Sequence, residues 1–284
     1  MNNVTIGYIF DSFDKDIRDE PFINIAKKKK INIVPFNLRD EFSEEEIEKK
    51  AEECGIIFNN TAGYGALEIV KTLEELGKKI VDGSKIYYYS EDKWMFYLKC
   101  MKNKIPTPET ILLSEDINSV KKELENFNHW PVVLKRVEGE MGEFVEKADN
   151  MKEVIEVLKR FWDGWKNIRI PIIAQELVKS CSYRVTVLDG KIIQTALKDG
   201  HGWKATGEYA KKFEKFEVDE DLEKLVNKIA RIAGIKICGI DFLKKDGKWL
   251  ALEVNAEPAF DFFENEYPKI VEEVLDFIIK EAEK

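Results

Sequence analysis

Histidine is nearly absent from this sequence: two residues, His129 and His201, in a chain of 284. Neither has a recognisable Ser or Cys partner, so no histidine-based acyl-transfer triad is indicated and both read as structural. Cysteine is sparse as well. Cys54, Cys100, Cys181 and Cys238 are widely spaced and form no CxxC pair, which argues against a zinc site and a disulfide framework. No apolar run approaches the ~20 residues that cross a bilayer. The N-terminus MNNVTIGYIFDSFDKD has no basic stretch leading into a long apolar core, so no secretory signal is read and a cytoplasmic location is expected. Positive charge is also in deficit. With a net charge of −9 the chain is no general nucleic-acid binder, because such proteins gain most of their affinity by neutralising phosphates. GxxxxGK[ST], HExxH, GxSxG and a complete GxGxxG are all missing. Gly63-Tyr-Gly65 is only the first half of a dinucleotide fingerprint, with Glu68 at the third glycine position.

What is present describes a globular enzyme-sized chain, 44% hydrophobic and 35% charged. At this length folding buries roughly 75% of the surface of the unfolded chain. Heavy use of Lys and Glu suits a heat-adapted source. Residues 1–88 alternate strand and helix signals: strands at Val4–Phe10, Ile31–Phe36, Gly55–Asn59 and Ile80–Val81, and a capping box, Ser43 with Glu46, opening one helix. That alternation predicts a parallel sheet with helices on both faces. Residues 89–168 begin with a helix capped by Ser90 and stopped before Pro106 and Pro108, then mix strands and helices around a glycine-containing loop. Residues 169–284 are mostly β, with a hairpin turn at Asp189-Gly190, and end in a helix from about Pro268. Three units are expected, 1–88, 89–168 and 169–284, in an α/β chain.

The most informative segment is residues 239–258, GIDFLKKDGKWLALEVNAEP. Cys238, Ile240 and Phe242, then Leu250, Leu252 and Val254, form apolar sets that should share one face, since side chains alternate along a strand. Even residues then pair with even, which requires an odd-length connection: a three-residue loop with Gly247 left-handed, plus a bulge. In that register Asp241 lies opposite Glu253, with Asn255 two residues on. Two facing carboxylates repel unless a cation lies between them. An all-oxygen trio of this kind suits Mg²⁺ held jointly by protein and nucleotide phosphates, and Mn²⁺ has the same donor preference. A solvated strand face carrying ordinary acids is the competing reading.

Other segments fit a nucleotide. Lys135 ends the apolar strand at Pro131–Lys135 ahead of Gly139 and Gly142, where a lysine and exposed loop amides can meet phosphates. Ala174–Val178 is an apolar strand ending in Glu176, suited to holding an adenine ring. Lys93 stands in the first turn of its helix, where the dipole disfavours a cation. Arg184 and Lys204 can face anions or water.

Taken in order, these residues resemble the ATP-grasp superfamily, and most closely its RimK-type carboxylate–amine ligases. The resemblance spans roughly residues 84–265. It runs through Glu91-Asp-Lys93, Ile105-Pro-Thr-Pro108, Val133–Gly139 with Met141-Gly142, Gln175–Val178, Tyr183-Arg184, Gly239-Ile-Asp241 and Leu252–Asn255. It implies an ATP-grasp fold with a preceding parallel-sheet domain, and ATP held between two α/β subdomains under a glycine lid. It implies further that Lys93 and Lys135 contact phosphates beside the lid residues Gly139, Met141 and Gly142. Glu176, Leu177 and Val178 would hold the adenine edge; Asp241, Glu253 and Asn255 would hold Mg²⁺; and Arg184 would approach the acyl phosphate. The implied partners are a small-molecule carboxylate and an amine, or a carrier protein, with no nucleic acid or membrane; self-association is left open.

The chain departs from that pattern at several places. Phe144 stands where the lid has a further glycine, and Ser182 where an acid usually meets the ribose. Trp203, Thr206 and Glu208 replace an Asn, an Arg and a glycine, with Lys204 able to supply the missing charge, and Glu257-Pro258-Ala259 replaces Ser-Pro-Gly. These changes gather on the acceptor side and the lid. Besides an amide-forming ligase, a small-molecule phosphotransferase and a non-catalytic nucleotide-binding regulator therefore remain open at the level of sequence. The loop Asn59–Tyr64, at a strand's C-terminal end, is the expected acceptor contact.

Overall fold

The computed structural model describes residues 4–11, 20–40, 43–139, 142–163, 169–199, 203–204 and 212–284. The alternation at the N-terminus becomes a four-stranded sheet of order β2-β1-β3-β4, formed by β1 (Thr5–Phe10), β2 (Asn32–Asn37), β3 (Ile56–Asn59) and β4 (Ile80–Val81), all parallel. Helix α1 (Glu20–Lys28), for which the sequence pattern gives no strong signal, packs Phe22 on Tyr8 and Phe58. Helices α2 (Glu44–Glu52) and α3 (Tyr64–Glu75) cover the other face with Ile47, Val70 and Leu73. Ser43 caps α2 as expected, its hydroxyl accepting from the Glu46 amide at 3.2 Å.

One helix start differs from expectation. The segment after β4 is a short turn, α4 (Tyr87–Ser90), followed by α5 (Lys93–Lys102), whose cap is Asp92 rather than Ser90. The Asp92 carboxylate accepts from the Met95 amide at 2.9 Å, a stronger anchor than a neutral hydroxyl. The chain's last helix, α9 (Tyr267–Ala282), begins where expected, with Pro268 in its first turn. Its apolar stripe, Ile270, Val271, Val274, Leu275 and Ile278, closes the α1 face of the first sheet. The C-terminus therefore completes the N-terminal core.

The second sheet has the order β5-β8-β6-β7, from β5 (Thr110–Leu112), β6 (Val132–Arg136), β7 (Val145–Ala148) and β8 (Ile172–Glu176). Helices α6 (Ile117–Phe127) and α7 (Met151–Asp163) cover its core face. Strand β8 falls after residue 168, yet it pairs with β5 and β6 in the middle of this sheet. Sheet pairing thus does not follow the sequence boundary at 168.

The third sheet, β11-β10-β9-β12-β13, contains β9 (Ser182–Leu188), β10 (Lys191–Asp199), β11 (Lys212–Glu214), β12 (Ile237–Lys245) and β13 (Lys248–Asn255). One face packs Val185, Val187, Cys238, Ile240 and Phe242 against α5 and α8 (Glu220–Ala233). The β9–β10 turn is the expected Asp189-Gly190 pair, with φ values of 47° and 80°. No described helix is long and apolar enough to cross a membrane.

Candidate active site

The opposite face of the third sheet is polar around Arg184 and Asp241 and apolar at Leu188 and Ile237, which join the core of the first sheet. Register places Arg184 beside Asp241 and Asp241 beside Glu253, with Asn255 against Gly239, so the metal trio predicted from sequence shares one face. The route to that register differs from expectation. Lys245 pairs with Lys248 around a two-residue Asp246-Gly247 turn, and the parity change occurs at a bulge between Asp241 and Phe242, where Leu252 is the extra residue. Below the bulge the core-facing residues are Trp249 and Ala251; above it, Val254. Leu250 and Leu252 are thus not the core partners of Val254. The bulge frees Leu252 from the core and sets it into the wall of the cleft between the second and third sheets.

Asp241 is fully buried. Arg184 forks onto it, Nε donating to Oδ1 at 2.6 Å and Nη2 to Oδ2 at 2.8 Å. The Lys198 ammonium lies at 3.2 and 3.4 Å from the same two oxygens. Burial alone would raise the Asp241 pKa, but the Arg184 and Lys198 charges outweigh it and hold the carboxyl well below the usual range. For Arg184, burial is outweighed by Asp241 and the pKa is raised; for Lys198, burial wins and the pKa is lowered. Gly239 makes room for this arrangement: a Cβ there would stand 2.4 Å from Arg184 Nη1. Lys198 escaped the sequence reading. Its signal was only strand parity, since Lys198 pairs with Ser182 as Ala196 pairs with Arg184, on the same face.

Across the cleft, Lys135 ends β6 with its ammonium on Gln175 Oε1 at 2.8 Å, and Gln175 Nε2 donates to Thr110 Oγ1 at 2.9 Å. Gln175, matched within a motif but given no role, therefore positions the lysine. Burial pushes the Lys135 pKa down to about 8, Lys93 pushing the same way and Glu253 and Asp241 opposing. Lys93 is the first residue of α5, and its Nζ donates to the Gly139 carbonyl at 2.6 Å. Lys93, Lys135, Gln175 and Leu252 meet at one end of the cleft.

At the other end, Glu176, Leu177, Val178, Ser182, Trp203, Lys204 and Leu252 bound about 490 Å³ of space, partly open to solvent. The Glu176 carboxylate is already engaged, accepting from the Glu109 amide at 3.1 Å and pairing with Lys245. The Ser182 hydroxyl is buried without a partner. Gly139 and Gly142 have φ of 131° and 74°, conformations that favour glycine. Phe144, where a glycine was expected, also has positive φ, 50°, and lays its ring 3.5 Å from the Arg136 guanidinium carbon. Met141, His201, Thr206 and Glu208 lie outside the described residues. His129 pairs with Glu109 at 3.0 Å, far from Asp241 in sequence and outside the cleft lining.

Residues 90–278 match the family model of the RimK-like ATP-grasp domain. The chain belongs to the RimK-like ATP-grasp family. Among similar sequences, a coenzyme gamma-F420-2:alpha-L-glutamate ligase from Methanocaldococcus jannaschii is 29% identical over 209 residues, 72% of each chain. An alpha-aminoadipate–LysW ligase, LysX, from Saccharolobus solfataricus is 26% identical over 208 residues, 72% of this chain and 75% of the relative. A D-alanine–D-alanine ligase from Bacillus anthracis, solved with ATP, superposes with a TM-score of 0.78 at 19% identity over 98% of this chain and 97% of that one. The ATP-grasp fold and the ATP-dependent carboxylate–amine ligase reading both agree with these relatives; the phosphotransferase and regulator readings do not.

Proposed function

We propose that this RimK-like ATP-grasp protein joins a carboxylate to the amine of an amino acid through an acyl phosphate, with the cleft between the second and third sheets as its ATP site. The observation that carries the reading is the convergence of Asp241, Glu253 and Asn255 on one sheet face, with Lys93 and Lys135 lining one end of the cleft and Glu253 and Asp241 close enough to act on the Lys135 charge. Leu177 and Val178 would flank the adenine, with backbone groups at the end of β8 meeting its edge. The unpartnered Ser182 hydroxyl would meet the ribose, and Lys204 would add charge nearby. The amides around Gly139 and Gly142 would approach phosphate oxygens, with Met141 in the same loop.

Two carboxylates and an amide oxygen are the donor set Mg²⁺ prefers, and no His or Cys competes in it. Among the described residues no group of three His, Cys, Asp or Glu gathers, so Asn255 and nucleotide oxygens would complete the shell. When bound, Mg²⁺ neutralises charge developing between the β- and γ-phosphates. Lys135 and Lys93 would hold those phosphates in line with the attacking carboxylate, and Arg184 would face the carbonyl oxygen of the acyl phosphate as the amine adds. Positioning and charge supply the catalysis. Amino-acid acceptors are favoured because relatives named as glutamate and aminoadipate ligases match most of the chain.

Hydroxylamine trapping tests the reading. A panel of amino acids and dicarboxylates is screened for ADP release, and positives are repeated with hydroxylamine. A ligase yields a hydroxamate; a stable phosphorylated product would overturn the acyl-phosphate route.

A further inference from the structure

Asp241 holds more positive charge than a metal ligand can keep. A carboxylate offers about four lone-pair sites. Arg184 takes two at 2.6 and 2.8 Å, and the Lys198 ammonium faces both oxygens at 3.2 and 3.4 Å. Asp241 is 0% exposed, Lys198 5% and Arg184 8%, so water does not screen these charges as it would at the surface. Asp241 and Glu253 carry −2 between them; Arg184 and Lys198 carry +2, and the buried Lys135, which acts on both carboxylates, adds a further +1. A divalent cation arriving by itself would raise that balance to +3. Arriving with a triphosphate, it would bring its own compensation.

The two side chains differ in how firmly they are held. Arg184 makes two short, planar, charge-assisted bonds and lies over Gly239, which has no Cβ to obstruct it. Lys198 is a point charge on a flexible stem with longer contacts, and the Phe262 ring lies 6.0 Å from its ammonium. It enters from β10, two strands from Asp241, whereas Arg184 is a direct register neighbour.

We propose that Lys198 occupies the cation's place on Asp241 while no nucleotide is bound, and yields it when the Mg²⁺–ATP complex arrives, Arg184 remaining in place. The inference rests on the reading of Asp241 and Glu253 as metal ligands. The exchange makes metal binding conditional on nucleotide, because the carboxylates are already more than matched by Arg184, Lys198 and Lys135 without it. The released ammonium stays on the sheet face shared with Ser182 and Arg184, where it faces the reacting anions. Lys198 is thus a charge-balancing and positioning residue.

Mn²⁺ binding to the full-length chain, read by electron paramagnetic resonance with and without ATP, tests the exchange. The wild type should bind Mn²⁺ weakly without ATP. Lys198→Met should bind it on the order of ten-fold more tightly, since one buried positive charge beside the ligand is gone. Lys198→Gln removes the same charge in a polar shape and decides the matter if the Met variant does not fold. Nucleotide-free Mn²⁺ affinity no tighter than wild type in a folded Met or Gln variant overturns the proposal. Asp241→Asn separates the two layers. If it leaves Mn²⁺ affinity in the presence of ATP unchanged, the metal-ligand reading fails; if it weakens that affinity while the Lys198 variants match wild type, only the exchange fails.

Discussion

Glu253 faces Asp241 because Leu252 is bulged out of β13 between Ala251 and Glu253. With a two-residue turn and no bulge, Leu252 would oppose Asp241 and Glu253 would turn toward the core. Deleting Leu252 removes the extra residue and straightens the strand without moving Glu253 from its partner. The deletion variant should therefore keep its Mn²⁺ affinity in the presence of ATP. Its KM for ATP should rise about ten-fold, from the loss of roughly 1.5 kcal/mol of apolar contact in the cleft wall. Loss of metal affinity on deletion would show that the bulge acts in some other way.

The Arg184–Asp241 pair is buried at both ends. Asp241→Asn breaks the bidentate pair and leaves Glu253 as the remaining counter-charge for Arg184 and Lys198, a loss of about 3–5 kcal/mol for a broken buried pair. Urea unfolding should register it as a lower midpoint, and adding Arg184→Met should restore part of the difference. A single variant as stable as wild type would mean the pair is solvated.

Lys135, with its pKa pushed down to about 8, is charged at neutral pH and loses its proton just above. kcat/KM for ATP should fall as pH rises through about 8, and that limb should vanish in Lys135→Met, at lower activity throughout. The stability effect has the opposite sign. Between about 8 and the ordinary lysine value of 10.5 the unfolded chain holds more protons than the folded one, so this group's burial penalty fades as pH rises.

Asp82 fastens the first sheet to the third, its carboxylate accepting from the Lys236 amide at 3.0 Å and the Ile237 amide at 3.0 Å. Burial raises its pKa to about 6, above the ordinary 3.8, and the two amides pull the other way. Between those values the folded chain holds the extra proton. This group therefore favours the fold most below pH 4, and that contribution is lost as pH rises through 6. Asp82→Asn keeps an oxygen for the amides and removes the charge. Its Tm should exceed the wild type's at pH 7 and converge with it near pH 4; a constant offset at every pH would contradict the assignment.

Phe144 covers the Arg136 guanidinium, and Arg136 Nη2 donates to the Phe161 carbonyl. Phe144→Gly accepts the positive φ readily but gives up a cation–π contact of about 1 kcal/mol and frees the lid's downstream end. The expected result is a higher KM for ATP and faster proteolysis in the segment between β6 and β7, with kcat changed by less than the KM. Unaltered KM would leave Phe144 with no part in lid placement.

Local rules in the sequence were enough for elements whose signals are local. The Ser43 cap, the Asp189-Gly190 turn and the parallel pairing of β1 to β4 follow from backbone stereochemistry and side-chain alternation, and the pairing of Asp241 with Glu253 was reached the same way although a different irregularity produces it. The RimK-like motifs likewise lie in order along the chain. What sequence could not set was anything depending on distant partners. Strand β8 joins the second sheet because Gln175 and Glu176 find β5 and β6 there, and α9 completes the first sheet because its apolar stripe meets α1. Lys198 became a site residue only when β10 was laid two strands from Asp241. The bulge, too, was assigned to the turn by counting residues, whereas packing moved it to Leu252: Trp249 and Ala251 take core positions below it, and only an irregularity above them can return Glu253 to the polar face. Periodicity fixes which residues can share a face; burial against the rest of the molecule decides where that period must break.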